Sequence, residues 1–276
     1  MPNAAISPSR PLNDGHLIPQ LGLGVYKVAD SDAARVVETA IESGYRHIDT
    51  ATLYNNERGV GDGVRASGVP RGDIFVTTKV WDSDHGYDRT LRAFDSSLEL
   101  LRFDYVDLYL IHWPVPSKDL FVDTWRALEA IRADGRALSI GVSNFAPRHI
   151  DRLLADTEVV PAVNQVELHP WLPQKEVRDY DWSHGIVTEA WSPLARGRVI
   201  GDRVLESIAA RYRKTTAQVV LRWHIQLGNV VIPKSVSPAR IAENIDVFDF
   251  ELDADDLTAI ASLESGTRTG MDPDAH

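Results

Sequence analysis

The sequence contains no cysteine, which removes disulfides, thiolate nucleophiles and thiolate metal sites together. No apolar run approaches the roughly 18 residues of a spanning helix, and the polar, proline-bearing N-terminus lacks the apolar core of a signal peptide. A cytoplasmic protein away from membranes is the expectation. Basic charge is scarce as well: 29 Lys and Arg stand against 40 Asp and Glu, a net charge of -11. A long-range field attracting nucleic acid or an anionic membrane is therefore not expected, and an anionic ligand would need locally concentrated cations. None of the nine histidines forms a HExxH-like pair, so no metal site is expected. Trp191-Ser-Pro-Leu lacks the glycines of a nucleophile elbow.

What is present suits an ordinary globular protein: 276 residues, 43% hydrophobic, long enough for a sizeable core. Eight strand candidates follow one another: Leu21 to Val25, His47 to Thr50, Ile74 to Val80, Val106 to Trp113, Leu138 to Val142, Ala162 to Leu168, Val187 to Ser192 and Asn229 to Pro233. Amphipathic runs separate them, at Asp32 to Ser43, Arg89 to Leu101, Leu120 to Ala133, Pro147 to Ala155, Gln174 to His184 and Thr216 to Leu227. Alternation of strand and helix implies right-handed crossovers and a parallel sheet, and eight repeats imply closure into a (β/α)8 barrel. A hairpin is expected around Asn13-Asp14-Gly15, with extra helices at Arg203 to Arg213 and Asp253 to Ser262. No linker interrupts residues 1–276, so a single domain is expected. An open doubly wound sheet would carry a glycine fingerprint after its first strand. Gly22-Leu-Gly24 only begins one, and Gly59-Val-Gly61-Asp-Gly63 follows no strand.

In a closed α/β barrel the functional rim lies at the C-terminal ends of the strands. Asp49, Lys79 and His112 end successive strands, and Tyr54 follows in the loop GYRHIDTATLYNN. Each has a plain alternative when taken alone: a structural ion pair, a loop aromatic, a packed histidine. Together they make a general acid for carbonyl reduction. Asp49 keeps Lys79 charged, and Lys79 is expected to lower the pKa of the Tyr54 phenol from about 10. His112 can donate a hydrogen bond from its neutral ring to the same substrate oxygen.

The hydride must then come from a nicotinamide. Ile232-Pro-Lys-Ser-Val-Ser-Pro-Ala-Arg240 reads as strand, tight loop and helix, with Ser237 as N-cap and Pro238 at the first helical position. Lys234, Ser235 and Arg240 surround that helix start, a site for an anion. A separate phosphate clamp of this kind favours NADPH over NADH. Trp191 can stack on the nicotinamide, and Asn144 and Gln165 can bond its carboxamide. Tyr26, Trp81 and Trp113 lie at strand ends as pocket walls or as core.

With these residues in view, the sequence closely resembles the aldo-keto reductases over nearly its whole length. GYRHIDTATLYNNERGVG at Gly44 to Gly61, LEAIRADGRALSIGVSNF at Leu128 to Phe145 and IPKSVSPARIAENIDVF at Ile232 to Phe248 carry the resemblance, with DLYLIHWP and VNQVELHP beside them. It implies an NADPH-dependent reductase on a (β/α)8 barrel, with Tyr54 as proton donor and Asp49, Lys79 and His112 completing a tetrad. By the same resemblance Ser143, Asn144, Gln165 and Trp191 hold the nicotinamide, and Ser192 and Leu194 line the pyrophosphate path. Lys234, Ser235, Val236 and Arg240 meet the 2'-phosphate region, with Glu243 and Asn244 near adenine, and Ile232 also contacts the cofactor. Tyr26, Trp81, His112 and Trp113 face the substrate.

The ending RTGMDPDAH is similar to the bacterial 2,5-diketo-gluconate reductase group. That implies a monomer reducing small aldehydes and ketones, dicarbonyls and keto-sugar acids such as 2,5-diketo-gluconate. The tail, about Ser265 to His276, is short beside those of long-tailed members of the family and is expected to leave the pocket more open than theirs. Two other classes share the fold: a cofactor-binding barrel that couples to a partner, and a Schiff-base lyase using Lys79. Asp49 opposes the second, because a carboxylate keeps the amine protonated.

Overall fold

The computed structural model describes residues 7–276. A short antiparallel hairpin, β1 (Ser9–Pro11) and β2 (Leu17–Pro19), comes first. Its turn lies at the expected Asp14-Gly15, with Gly15 at φ +92°, a region that favours glycine. Leu12 and Ile18 from this hairpin pack on Phe75, Leu108, Leu110, Val163 and Val230, plugging one end of the barrel.

Eight parallel strands follow in chain order: β3 (Leu23–Gly24), β4 (His47–Asp49), β5 (Phe75–Val80), β6 (Val106–Ile111), β7 (Ala137–Ser143), β8 (Val163–Glu167), β9 (Val187–Trp191) and β10 (Val230–Val231). Parallel bridges Leu21–Val231 and Gly24–Lys234 join the first to the last. The expected (β/α)8 barrel is the observed one. The first and last strands are shorter than the apolar runs predict. Pro233 has no N–H to give to a ladder.

The helices are α1 (Asp30–Glu42), α2 (Glu57–Ala66), α3 (Tyr87–Leu101), α4 (Phe121–Ala133), α5 (Pro147–Asp156), α6 (Lys175–Ser183), α7 (Arg203–Tyr212), α8 (Thr216–Gln226), α9 (Pro238–Ile245) and α10 (Ala254–Ala261). In α1, Ala33, Val36, Val37, Ala40 and Ile41 are buried at the spacing of one helical face. Helix α2 has no counterpart among the amphipathic runs. Its glycines hide it: added Cβ atoms at Gly59 and Gly63 would strike the backbone of α1, and one at Gly61 the carbonyl of Leu101 at the end of α3. Close helix packing, not phosphate binding, accounts for that glycine run.

Strand period sets the interior. In β5, Val76 and Val80 join the large cluster under the helices, whereas Phe75 joins the plug. Thr77 and Lys79 share the inward face with Phe75. Trp125, Tyr45, Tyr109 and Phe94 are fully buried, each worth roughly 1.5–3 kcal/mol or somewhat more in removed apolar surface. The barrel interior is thus apolar at the hairpin end and polar toward the opposite mouth.

Candidate active site

Asp49, the last residue of β4, lies opposite Gly24 of β3 and Thr77 of β5 in the sheet register. Lys79, two residues beyond Thr77, projects from the same face and meets it. Its Nζ is 2.7 and 2.8 Å from the two Asp49 carboxylate oxygens and 2.9 Å from the Thr50 carbonyl oxygen. All three ammonium hydrogens are used, and both side chains are almost fully buried. Burial pushes the Asp49 carboxyl up, against the pull of the Lys79 ammonium and the Gln165 amide. Removing either partner would leave a bare buried charge, at a cost of about 3–5 kcal/mol.

Tyr54 ends a single 3-10 turn, Thr52–Tyr54, stopped by Asn55 at φ +53°. Buried Asn56 fixes this loop: it accepts from Thr50 Oγ1 at 2.7 Å and donates to the carbonyls of Val25 and Val28 at 2.9 Å each. The Tyr54 ring lies over the ion pair, with Lys79 Nζ 5.2 Å from its centroid. The expected lowering of its pKa is overturned. Burial, then the negative charge of Asp49 and the neighbouring Tyr26 and Glu189, push the phenol well above its usual 10. Lys79 has no hydrogen left for the phenol oxygen, so it acts on Tyr54 only through space. The phenol is kept protonated, a loaded acid.

His112 follows β6, its ring 5.7 Å from that of Tyr54 and 5.1 Å from Trp81, both edge-on. Burial, then the Lys79 charge, hold its pKa well below 6.5, so the imidazole is neutral. Tyr26 packs on Tyr54 at 5.0 Å.

Asn144, at φ +64°, directly follows β7. Its Nδ2 donates to the His112 carbonyl at 2.9 Å and to Ser143 Oγ at 3.1 Å. Its Oδ1 accepts the indole N–H of Trp191 at 2.9 Å. Asn144 therefore holds Trp191 in place. Ser143 donates to the Gln165 carbonyl at 2.8 Å. Gln165 gives its amide nitrogen to Asp49 Oδ2 and to Glu189 Oε2, both at 2.8 Å, which leaves its side-chain oxygen as the atom free for the cavity.

Glu189 has no counterpart among the expected residues. It is fully buried, and burial, then repulsion from Asp49, push its carboxyl to about 8. The signal was available: Val187-Thr-Glu-Ala-Trp191 puts an acid two residues before Trp191, on the same inward face of β9.

At the far end of the site, Lys234 and Arg240 are exposed and form no ion pair among the described residues. Ser237 stands at the N-cap of α9, but its hydroxyl makes no capping bond. Instead the Ser237 N–H donates to Ser235 Oγ at 3.2 Å. The first-turn N–H groups of α9 receive no side-chain cap. Ile232 and Asn244 are buried and Val236 is exposed. Glu243 accepts from Thr215 Oγ1 at 2.8 Å.

A cavity of about 300 Å³ gathers most of these groups, within the usual range for a small-molecule site. Tyr26, Asp49, Tyr54, Trp81, His112, Trp113, Ser143, Asn144, Gln165, Trp191, Ser192, Ile232 and Lys234 line it. Lys79 lies beneath Asp49. Leu194, Ser235, Val236, Arg240, Glu243 and Asn244 stand outside it. Sequence reasoning missed Gly24, Leu53, Pro193, Arg196, Gly270 and Met271, which also line it. The last two belong to the tail, which crosses the mouth. The His276 ring lies 4.6 Å from Trp113, and its Nε2 meets the Asp82 carboxylate.

Residues 20–265 match the Aldo/keto reductase family. The chain belongs to the aldo/keto reductase family. An aldo-keto reductase of Mycolicibacterium smegmatis is 58% identical over 97% of this chain and 98% of its own. A glyoxal reductase of Bacillus subtilis is 52% identical over 95% of each. A mutant of Gox0644, solved in complex with NADPH, superposes with a TM-score of 0.94 at 48% identity, covering 98% of both chains. This aldo-keto reductase is an NADPH-dependent oxidoreductase that acts on carbonyl groups. No helix among its described residues is long and apolar enough to cross a membrane.

Proposed function

We propose that the enzyme reduces small 1,2-dicarbonyls, 2-oxoaldehydes foremost, and that Tyr54 supplies the proton. The observation that carries this reading is a protonated phenol beside a neutral imidazole, at the wall of a cavity of about 300 Å³. A B. subtilis relative named glyoxal reductase supports the substrate class. Aromatic walls from Tyr26, Trp81 and Trp113 suit a compact substrate. Arg196 on the lining favours a second group, keto-sugar acids such as 2,5-diketo-gluconate, whose carboxylate it can meet.

The residues present fit NADPH. Trp191 offers a fixed indole face, Gln165 a free amide oxygen, and Lys234, Arg240 and the first turn of α9 an exposed cationic end. When bound, NADPH supplies the hydride. The chain supplies the rest. Tyr54 transfers its O–H proton to the carbonyl oxygen as negative charge develops there. The resulting phenolate lies beside the Lys79 ammonium, whose charge stabilises it, and Asp49 holds that ammonium in place. His112, neutral, offers a hydrogen bond without competing as the acid. We further propose a cytoplasmic monomer, which gel filtration and cell fractionation test.

The deciding experiment is NADPH oxidation by the wild-type enzyme with methylglyoxal, glyoxal, benzaldehyde and 2,5-diketo-gluconate. The highest kcat/KM is expected for methylglyoxal. A clear preference for benzaldehyde would overturn the dicarbonyl reading.

A further inference from the structure

The ending Arg268-Thr-Gly-Met-Asp-Pro-Asp-Ala-His276 has no part in the chemistry above, yet a buried carboxylate of the barrel binds its first residues. Glu167, the last residue of β8, is 1% exposed and pairs with no Lys or Arg among the described residues. Its Oε1 accepts from the Thr269 N–H at 2.6 Å, the Thr269 hydroxyl at 2.5 Å and the Gly270 N–H at 3.2 Å. Gly270 N–H also reaches Oε2 at 3.1 Å, and His169 Nε2 lies 3.1 Å from Oε1. The tail therefore provides most of the hydrogen bonds that solvate this carboxylate. Burial pushes Glu167 up, but the bonds from His169, Thr269 and Gly270 outweigh it and hold the group at about 2.

The same contact reaches the cofactor plate. A Cβ on Gly270 would strike the Trp191 ring, so the backbone here lies directly on the indole edge. Asn144 holds the other side of Trp191 by its N–H. Beyond Gly270, Met271 lines the cavity, Asp274 pairs with Arg148, and His276 covers Trp113.

We propose that Glu167 is a positioning residue: by docking residues 269–276 on the barrel mouth it seats the Trp191 indole and builds the outer wall of the carbonyl pocket. The kinetic part rests on the reductase reading of the site; the docking part does not. Glu167→Gln weakens a charge-assisted clamp without emptying the position. The tail is then released more often, while the acid at Tyr54 is untouched.

Trypsin tests the docking directly, because its cut after Arg268 frees residues 269–276 and intact mass records the loss. Glu167→Gln is expected to speed that loss by about tenfold or more, the equivalent of a charged hydrogen bond. KM for methylglyoxal should rise about fivefold or more with kcat within about twofold, and that rise should vanish in a chain ending at Arg268, where Glu167 has no tail to hold. Gly270→Val, whose added carbons would strike Trp191 from the tail side, should speed the cut as well, and serves as the docking test if Glu167→Gln does not fold. A tail equally protected in both variants, or a KM rise that persists in the chain ending at Arg268, would overturn the proposal. If no carbonyl is turned over at all, the reductase reading fails while the proteolysis still decides the clamp.

Discussion

The two ends of the cavity are built in opposite ways. At the Tyr54 end the cation and the amide are already fully engaged: Lys79 gives all its hydrogens to Asp49 and Thr50, and Gln165 gives both of its own to Asp49 and Glu189. At the α9 end Lys234 and Arg240 are exposed and form no ion pair among the described residues, and the helix start carries no side-chain cap. The closed end must have the same geometry whether or not a ligand is bound, because it handles charge that develops only during reaction. The open end meets a ligand that brings its own charge. Preorganisation and vacancy are two answers to the question of when the counter-charge arrives.

If this contrast is right, damage at the closed end is structural as well as catalytic. Lys79→Met leaves Asp49 buried without a cation. A loss of about 3–5 kcal/mol in denaturant unfolding is expected, with turnover falling about a hundredfold or more. An unchanged unfolding midpoint would show that the pair is not under load.

Damage at the open end should leave stability alone. Lys234→Ala and Arg240→Ala are each expected to weaken NADPH by about tenfold, from one charge-assisted bond to phosphate, and NADH hardly at all. Fluorescence titration with both cofactors checks this, and equal losses for the two would place these cations elsewhere.

The smallest effect concerns pH. Glu189 is held at about 8 in the fold, above the ordinary 4.5, so the folded state keeps a proton that the unfolded chain releases. Stability is then full below about pH 4.5 and falls as pH rises toward 8. Asp181, held at about 7 by burial against bonds from Thr188 and Asn164, adds to the same slope. Glu189→Gln should flatten the fall by an amount on the order of a kcal/mol, given about 1.4 per tenfold change in proton affinity. Thermal melts of both proteins at pH 6 and 8 measure it.

How far the sequence disclosed this architecture depended on what kind of signal each part leaves. Strand period and apolar runs placed all eight barrel strands within two residues at their N-terminal ends, and strand ends pointed to Asp49, Lys79 and His112. Helix α2 escaped because its glycines serve backbone contact with α1 and α3, which dilutes the apolar stripe. The Tyr54 pKa was misjudged because proximity to Lys79 is visible in a sequence, whereas burial and the use of all three ammonium hydrogens are not. Asn144 read as a ligand for a carboxamide, and nothing in the sequence signalled that its amide also fastens Trp191 and the His112 carbonyl. Gly270 and Met271 were invisible for a different reason: their contact with the cavity spans more than a hundred residues of chain from Glu167, and no local pattern announces it.

The central claim is that Tyr54 is the acid of a preformed closed end. The measurement that tests it most directly is NADPH oxidation with methylglyoxal by Tyr54→Phe, paired with an NADPH titration of the same protein. The account predicts turnover reduced by about two to four orders of magnitude with NADPH affinity unchanged. Turnover close to that of the wild type would contradict it.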